Sequence, residues 1–419
     1  LLFKTKYEKA ALMKMIFKIA WRNIWRNKRR SIITISSIFC AVFFAVFARS
    51  FQIGVYDKMI SNMVGMYTGY LQIHQNGYWE EQSIENSFVP DDSLRIALKN
   101  QSNLKTYNQR LESFALSASD ELTKGVMVMG IEFEKEDELM DLSSKMTAGS
   151  FPSATSNGLV LSEGLADYFK LSIGDSLILL GQGYHGTTAN GIYPIEGILK
   201  LPMPNLNDRV VLLSIAAAQE LYAAPDRITS MVLQIEKPKN LNATKKDLNK
   251  SINLEAYELM DWKKLLPELV QTIQADSAGG IIILGILYMI ITFGILGTLL
   301  MMTAERMYEF GILVSIGMRK GKLILTMVLE SIMMGSIGIV LGIIGITPVR
   351  YYFYLHPIRL QAEAAEAIET YGFEPVIPAS LDLSIAFNHG FIVLGIVLLC
   401  SLYPIITILR LKPVKAMKA

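Results

Sequence analysis

The sequence predicts an integral membrane protein with four transmembrane α-helices and an α+β extracytoplasmic domain between the first two spans. Three observations carry this. The 419 residues are 51% hydrophobic, too apolar for an ordinary soluble enzyme and too mixed for a chain that is mostly membrane. The apolar residues cluster into the runs Ser31 to Ala48, Gly279 to Met302, Leu323 to Val349 and Phe391 to Leu409, each close to or above the roughly 20 helical residues that cross a hydrocarbon core of about 30 Å. Lys and Arg gather beside the ends of these runs that share one side, which sets the direction of insertion.

The first thirty residues hold ten Lys or Arg against one acid, Glu8. Arg306, Arg319, Lys320 and Lys322 lie between spans two and three, and Arg410, Lys412, Lys415 and Lys418 follow span four. Basic residues near a span resist translocation, so these segments and both termini are expected in the cytoplasm. The connections Phe51 to Ala278 and Arg350 to Gly390 then lie outside, the second made acidic by Glu363, Glu366, Glu369, Glu374 and Asp382. The net charge of +2 is accounted for by the membrane-flanking segments, so nothing argues for nucleic acid as a partner. Cys40 and Cys400, the two cysteines, fall inside spans as small apolar residues, which leaves the domain without a disulfide framework. No small-residue cleavage site follows the first span, so it reads as an uncleaved signal anchor, with Met13 or Met15 as the expected natural start.

The elements follow in order. Residues 1–30 form a cytoplasmic segment in which Phe17, Ala20, Trp21, Ile24 and Trp25 share one helical face and Lys18, Arg22, Arg26 and Arg29 another, the pattern of a helix lying against anionic membrane lipids. Span one covers 31–50 and the α+β domain 51–276. Its expected strands are Gly69 to His74, Val126 to Ile131, Gly158 to Leu161, Ser176 to Leu180, Ile192 to Leu199, Arg209 to Leu213 and Ile228 to Ile235. Its expected helices are Ser162 to Phe169, opened by a Ser cap, and Ser214 to Tyr222. Trp262 to Ser277 has helical periodicity without a convincing stop, so span two, over 277–302, is expected to project as a stalk. Residues 303–322 connect it to span three, 323–350. The loop 351–388 opens with the aromatic belt Tyr351, Tyr352, Phe353, Tyr354 and His356 and holds a short helix from Ile358 to Glu369, ended near Gly372. Span four takes 389–410 and a cytoplasmic tail 411–419.

The connection Thr303 to Lys322 is the most informative stretch. Met307, Phe310, Ile312, Leu313, Val314 and Ile316 give an exposed amphipathic helix, ended by Gly317. An apolar helix presented to the cytosol needs a groove to bury it. It either lies on the membrane surface or docks a cytosolic partner.

Four stretches carry a resemblance: AWRNIWRNKRRS at the start, VLSEGLADYFKLSIGDSLILL in the domain, ERMYEFGILVSIGMRKGKLILTMVLES after span two and SLYPIITILRLKPVKAMK at the end. In these the chain resembles permeases of the FtsX/MacB superfamily of ABC transporters, and within it the lipoprotein-releasing, LolC/LolE-like branch. The resemblance implies a MacB-like periplasmic core domain and the bacterial inner membrane. It also implies a mechanotransmission permease, without a catalytic site, that releases lipoproteins toward the outer membrane. It makes 303–322 the coupling helix, with Glu305, Arg306, Glu309, Phe310, Gly311, Ile312, Ile316, Gly317, Met318 and Arg319 contacting the ATPase. The implied partners are a cytoplasmic ABC ATPase dimer, which would hold ATP and Mg, a second permease that is identical or homologous, a lipoprotein and a periplasmic carrier. Export of a peptide or antibiotic from the periplasm, and a membrane-anchored sensor or scaffold, are the alternatives.

This chain has no phosphate loop of its own: Gly317 and Gly321-Lys322 are wrongly spaced and no Ser or Thr follows the Lys. No cofactor or metal is expected, since His74 and His185 do not stand at ligand spacing. In lipoprotein-releasing permeases the loop corresponding to Gly181 to Gly191 is a hook that grips a soluble carrier. Here Gly181, Gln182, Gly183, Tyr184, His185 and Gly186 are the candidate partner loop, but the hook's proline is missing and a plain flexible hairpin tip is the competing reading. Within the spans, Gly294, Gly297, Gly335, Gly338, Gly342 and Gly345 recur on helix faces, with Gly338 and Gly342 in GxxxG form for helix packing. Glu330 is a lone acid inside span three, expected to pair with Arg306 or Arg30.

Overall fold

The computed structural model describes residues 2–119, 122–153, 156–201, 203–369 and 374–412. Gly372, Lys415 and Lys418 lie outside the described residues. The chain divides into two compact units, one of Leu1–Asp57, Ile273–Ile358 and Val376–Ala419, the other of Lys58–Thr272 and Arg359–Pro375. It opens with α1 (Leu2–Arg26), a turn at Asn27, and α2 (Lys28–Met63), which a π-helical turn, Val64–Thr68, extends. The apolar face expected on α1 splits into two i, i+4 stripes: Ile16, Ala20 and Ile24 are buried, and Phe17, Trp21 and Trp25 are exposed. Only the second stripe is free to meet a membrane surface, a correction to the single face read from the sequence.

The second unit is built on a ten-stranded sheet. Its strands are β1 (Leu71–Gln75), β2 (Leu104–Ser119), β3 (Leu122–Ile131), β4 (Met146–Gly149), β5 (Leu159–Ser162), β6 (Ser176–Gln182), β7 (Thr188–Leu199), β8 (Val210–Ser214), β9 (Ser230–Ile235) and β10 (Tyr257–Asp261). Between them run α3 (Asp92–Lys99), α4 (Phe133–Met140), α5 (Glu163–Phe169), α6 (Pro204–Asn207), α7 (Ile215–Leu221) and α8 (Leu241–Ser251), and α9 (Trp262–Leu265) follows. β3 pairs β8, and β5 pairs β7, in parallel; the other ladders are antiparallel. The pairings β2–β3–β8–β5–β7–β6 return to β2 and close a ring. Alternate residues on all six strands, among them Leu111, Val126, Leu159, Leu179, Ile195 and Val211, meet in one core that α7 completes with Ala218 and Leu221. Gly130 permits this contact, because a Cβ there would lie 2.4 Å from Ala218 Cβ. On the outside of β3, β5 and β8, Met129, Val160 and Leu212 form a second core with Phe133 and Met140 of α4.

Ser214 caps α7 by accepting a hydrogen bond from Ala217 N at 3.2 Å. Ser162 stands at the start of α5, but its buried hydroxyl has no hydrogen-bond partner, so it is no side-chain cap. The helix expected over Trp262 to Ser277 is broken at Leu266, after α9, because Pro267 starts a new helix at the position where its missing N–H costs nothing.

The chain continues with α10 (Pro267–Glu305), α11 (Met307–Ser315), α12 (Lys320–Leu355), α13 (Glu363–Glu369), α14 (Leu383–Cys400) and α15 (Leu402–Leu409). The short outer-loop helix α13 thus starts later than Ile358. Four helical stretches are long and apolar enough to cross a membrane: α2, α10, α12 and α14 with α15. At 1.5 Å per residue, the 36 residues of α2 and of α12 reach about 54 Å, well beyond the hydrocarbon thickness. In the helical unit, Ile38, Val42 and Val46 of α2 pack with Ile295 and Leu299 of α10, Ile346 of α12, and Val393 and Val397 of α14.

Gly338 and Gly342 bring α12 against α2. A Cβ on Gly338 would fall 2.7 Å from Ile38 Cβ, and one on Gly342 would fall 2.9 Å from Val42 Cβ. Around Gly294 and Gly297 no such neighbour lies within 4 Å among the described residues, so the packing role read for them has no counterpart within this chain. His389, in α14, hydrogen-bonds the Tyr288 hydroxyl of α10, a polar pair that the apolar run starting at Phe391 does not signal.

Candidate functional site

The segment from Glu305 to Arg319 is held on three sides. α10 stops because Arg306 leaves helical geometry, and α11 begins at Met307. It ends in a Schellman arrangement: Gly317 N donates to Val314 O at 3.1 Å and Met318 N to Leu313 O at 3.0 Å, with Gly317 at φ +102°, a conformation that glycine reaches without a Cβ penalty. Arg319 precedes α12 in extended backbone. A tight two-turn helix therefore sits between two long ones.

Its apolar residues do not all face outward, as the sequence reading had them. Phe310 is 1% exposed and Gly311 is buried. Phe310, with Met307 and Val314 partly buried beside it, packs on Leu323 and Met327 of α12, Ile408 of α15, and Leu411. Lys320 Nζ donates to the carbonyls of Leu409 and Leu411 at 2.8 and 2.9 Å, fixing the end of α15 beside the start of α12. Ile312 and Met318 are half-buried. The apolar side chains the segment leaves to solvent are Tyr308, Leu313 and Ile316, the last 79% exposed, beside the exposed Glu305, Ser315, Gly317 and Arg319. Phe310 and Gly311 thus belong to the base of α11, and Tyr308 and Leu313 to the surface it presents.

The acids are occupied as well. Arg26 Nη2 lies 2.5 Å from Glu309 Oε2, and Arg30 pairs with Glu305. Arg306 Nη1 lies 2.8 Å from Glu330 Oε2, in a pair almost wholly buried, so of the two partners read for Glu330 the structure takes Arg306. Asn23 Nδ2 reaches the same carboxylate oxygen at 3.5 Å, and Arg306 Nε approaches Glu309 at 3.7 Å. These contacts tie α1 to α11 and α12, and the start of α2 to the end of α10. Asn23 and Arg26 were legible only as parts of a basic segment, since nothing in spacing couples them to residues 283 or more positions away.

In the second unit, the glycine-rich stretch is mostly strand: β6 and β7 stay paired as far as Gln182 opposite Thr188, which leaves Gly183 to Thr187 as the tip. Gly181 and Gln182 are strand residues. Tyr184 N donates to Tyr222 O at 2.8 Å, Arg227 covers the Tyr184 ring at 4.2 Å, and His185 Nδ1 lies 3.4 Å from Glu85. Gly183 is packed so closely that a Cβ would meet Thr187 Oγ1 at 2.5 Å. The tip is tied down on the domain, against the reading of a plain flexible loop; His185, Gly186 and Thr187 are its exposed residues.

No group of three or more potential metal ligands occurs among the described residues. The buried charges of this unit are structural. Arg110, fully buried, binds Glu136 through Nε at 3.1 Å and donates from Nη1 to Tyr67 O at 2.6 Å. Asn108 Nδ2 also donates to Glu136, at 3.2 Å. Burial raises the pKa of the neighbouring Glu112, against the pull of Arg110. His74 donates from Nδ1 to Thr229 O at 2.9 Å, and its buried Nε2 has no hydrogen-bond partner. Burial lowers its pKa to about 4. A cavity of about 10 Å³ beside Tyr67, Met129 and Glu136 has room for one water at most.

Residues 31–251 match the family model of the MacB-like periplasmic core domain, and residues 281–413 match that of the FtsX-like permease C-terminal region. The chain is 21% identical over 238 residues to the lipoprotein-releasing system transmembrane protein LolC of Neisseria meningitidis serogroup B (strain ATCC BAA-335 / MC58), a match covering 55% of this chain and 57% of that protein. It thus spans little more than half the length of that curated relative. Among solved structures, the periplasmic region of MacB from Actinobacillus actinomycetemcomitans aligns at 14% identity and a TM-score of 0.36, over 52% of this chain and 98% of that one. The extracellular domain of the noncanonic ABC-type transporter YknZ from Gram-positive bacteria aligns at 13% identity and a TM-score of 0.33, over 46% of this chain and all of that one.

Proposed function

The chain belongs to the FtsX/MacB family of ABC transporter permeases, and from that premise we propose that α11 is the element through which a separate cytoplasmic ATPase drives it. The observation that carries this is the way α11 is mounted. Its base is packed and its acids are paired, while Tyr308, Leu313 and Ile316 protrude. An exposed apolar knob on a braced helix passes a push to the helices beneath it, where a loose helix would absorb it. Tyr308, Leu313 and Ile316 fill the groove of the partner, Glu305 and Glu309 hold the knob's angle through Arg30 and Arg26, and the Arg306–Glu330 pair joins α11 to α12.

On this reading the basic flanks put both termini and α11 in the cytoplasm, and the MacB-like domain faces the periplasm of a bacterial inner membrane. ATP and Mg are bound by the ATPase. A pair of permeases, one on each ATPase subunit, converts closure of the ATPases into movement of the periplasmic domains. The cargo proposed is a lipoprotein, supported by the stretches shared with the lipoprotein-releasing branch and by the relative named for that activity.

The test is affinity purification of the full chain from native membranes, followed by mass spectrometry and an ATPase assay. The unaltered chain is expected to bring down an ABC ATPase. Ile316→Asp, alone or with Leu313→Asp, is expected to lose it while the chain still inserts and purifies in normal amount. Retention of the ATPase by the double variant would overturn the assignment.

A further inference from the structure

We propose that the outer face of β2, β6 and β7 is a docking surface for the same face of a second copy of this chain. Residues directly opposite each other in a ladder share a face. Leu116 stands opposite Leu180, and Ile178 opposite Ile192; Phe114 lies two residues from Leu116 on the same side. All five are exposed: Phe114 by 61%, Leu116 by 47%, Ile178 by 36%, Leu180 by 42% and Ile192 by 68%. The inward residues between them, such as Ala115, Leu177 and Leu179, already fill the core of the ring. A sheet section with one solvated face alternates apolar and polar residues; this one is apolar on both. The other half of the ring, β3, β5 and β8, has its outer face covered by the α4 core, and nothing among the described residues covers this half.

Size and charge choose the occupant. Together the five side chains expose roughly 500 Å² of apolar surface, at the upper end of the largest patch a monomer carries. A standard interface takes about 800 Å² from each partner, so the patch with a polar rim supplies the core of one. The outer face of a strand ring is convex, whereas small-molecule sites are concave, so a protein surface fits better than a ligand. The exposed neighbours on the same face of β6 and β7 are Ser176, Gln182, Thr188, Asn190 and Pro194, none of them charged. In a two-fold contact every rim charge would meet its like or need an opposite elsewhere in the patch; an uncharged rim has no such repulsion. Copies anchored in one membrane are also at high effective concentration, so a contact of this size suffices where it would fail between free molecules.

The inference rests on the reading that the permease works as a pair, and the experiment separates the two. Two differently tagged full-length chains, with Cys40→Ser and Cys400→Ala to remove the native thiols, are co-expressed. Each carries Leu116→Cys, Leu180→Cys or Ile192→Cys, and membranes are treated with an oxidant or a short bis-maleimide. A covalent band of twice the chain mass that holds both tags is expected for at least one of the three. No such band is expected from Ile96→Cys or Leu254→Cys, which are 59% and 50% exposed elsewhere in the same unit. Co-purification of the tags without any of these crosslinks, or an adduct to a different polypeptide, overturns the docking face and leaves pairing intact. Failure of the tags to co-purify overturns both.

Discussion

His74 is a residue whose chemistry is strongly altered by its place. With its ring stacked on Tyr78 at 4.9 Å and its Nδ1–H given to Thr229, it folds neutral, and burial takes its pKa from 6.5 to about 4. The unfolded chain therefore takes up the proton first as pH falls. Stability is whole above pH 6.5 and is lost progressively down to about pH 4, by up to about 3 kcal/mol. Glu112, raised by burial, works in the opposite direction but is common to parent and variant. His74→Gln is expected to flatten the difference between pH 6.5 and 4, read from the fluorescence of Trp79, whose ring centroid lies 6.0 Å away. At this scale the sequence is legible where a residue is anomalous in its run. Glu330 among apolar neighbours announces that it needs a cation. His74 and the Arg110–Glu136 pair give no such signal, because polar residues in a polar stretch look solvated whether or not a helix such as α4 closes over them.

Among elements, the long helices follow directly from apolar runs, and β1, β5, β6, β8 and β9 begin within two residues of the strands expected from the sequence, while β3 and β7 begin four residues earlier. β4, β10 and β2 have no expected counterpart, and the reason is plainest in β2. Its residues LKTYNQRLESFALSAS alternate poorly, since Asn108 and Arg110 are buried while Phe114 and Leu116 are exposed. Hydropathy assigns those four to the wrong sides. The α11 segment misled in the same way: Phe310 is covered by Ile408 and Leu411, a contact between distant stretches that helical periodicity cannot anticipate. Packing between α2 and α12 is better founded in sequence, because the Gly338–Gly342 spacing is itself the signal. Gly342→Val would thrust its side chain into Val42 Cβ and Phe39 O, which already stand 2.9 and 3.1 Å from a bare Cβ. The expected cost is about 1–3 kcal/mol, measured as a fall in the thermal unfolding temperature of the detergent-solubilised chain. Gly294→Ala, with open space around it, is expected to hold that temperature or raise it slightly, since Ala is the better helix former.

For the whole molecule, the fold class is visible in the sequence because membrane insertion is decided by local runs and their flanking charges. The ring is not visible, since it closes through β2–β6 and β3–β8, pairs of strands far apart in the chain. One of its neighbours in the sheet carries a further consequence. β1 and β10, the first and last strands of the domain, lie side by side with Leu71 opposite Asp261, so the backbone leaves the domain about 5 Å from where it came in. Geometrically the stretch between these two strands replaces a hairpin turn. Such a cassette can be lengthened, exchanged or lost without moving the two ends it is grafted onto. A soluble fragment from Tyr70 to Trp262 is accordingly expected to fold by itself with a single cooperative thermal transition. A fragment that stays unfolded would mean that the graft depends on its host.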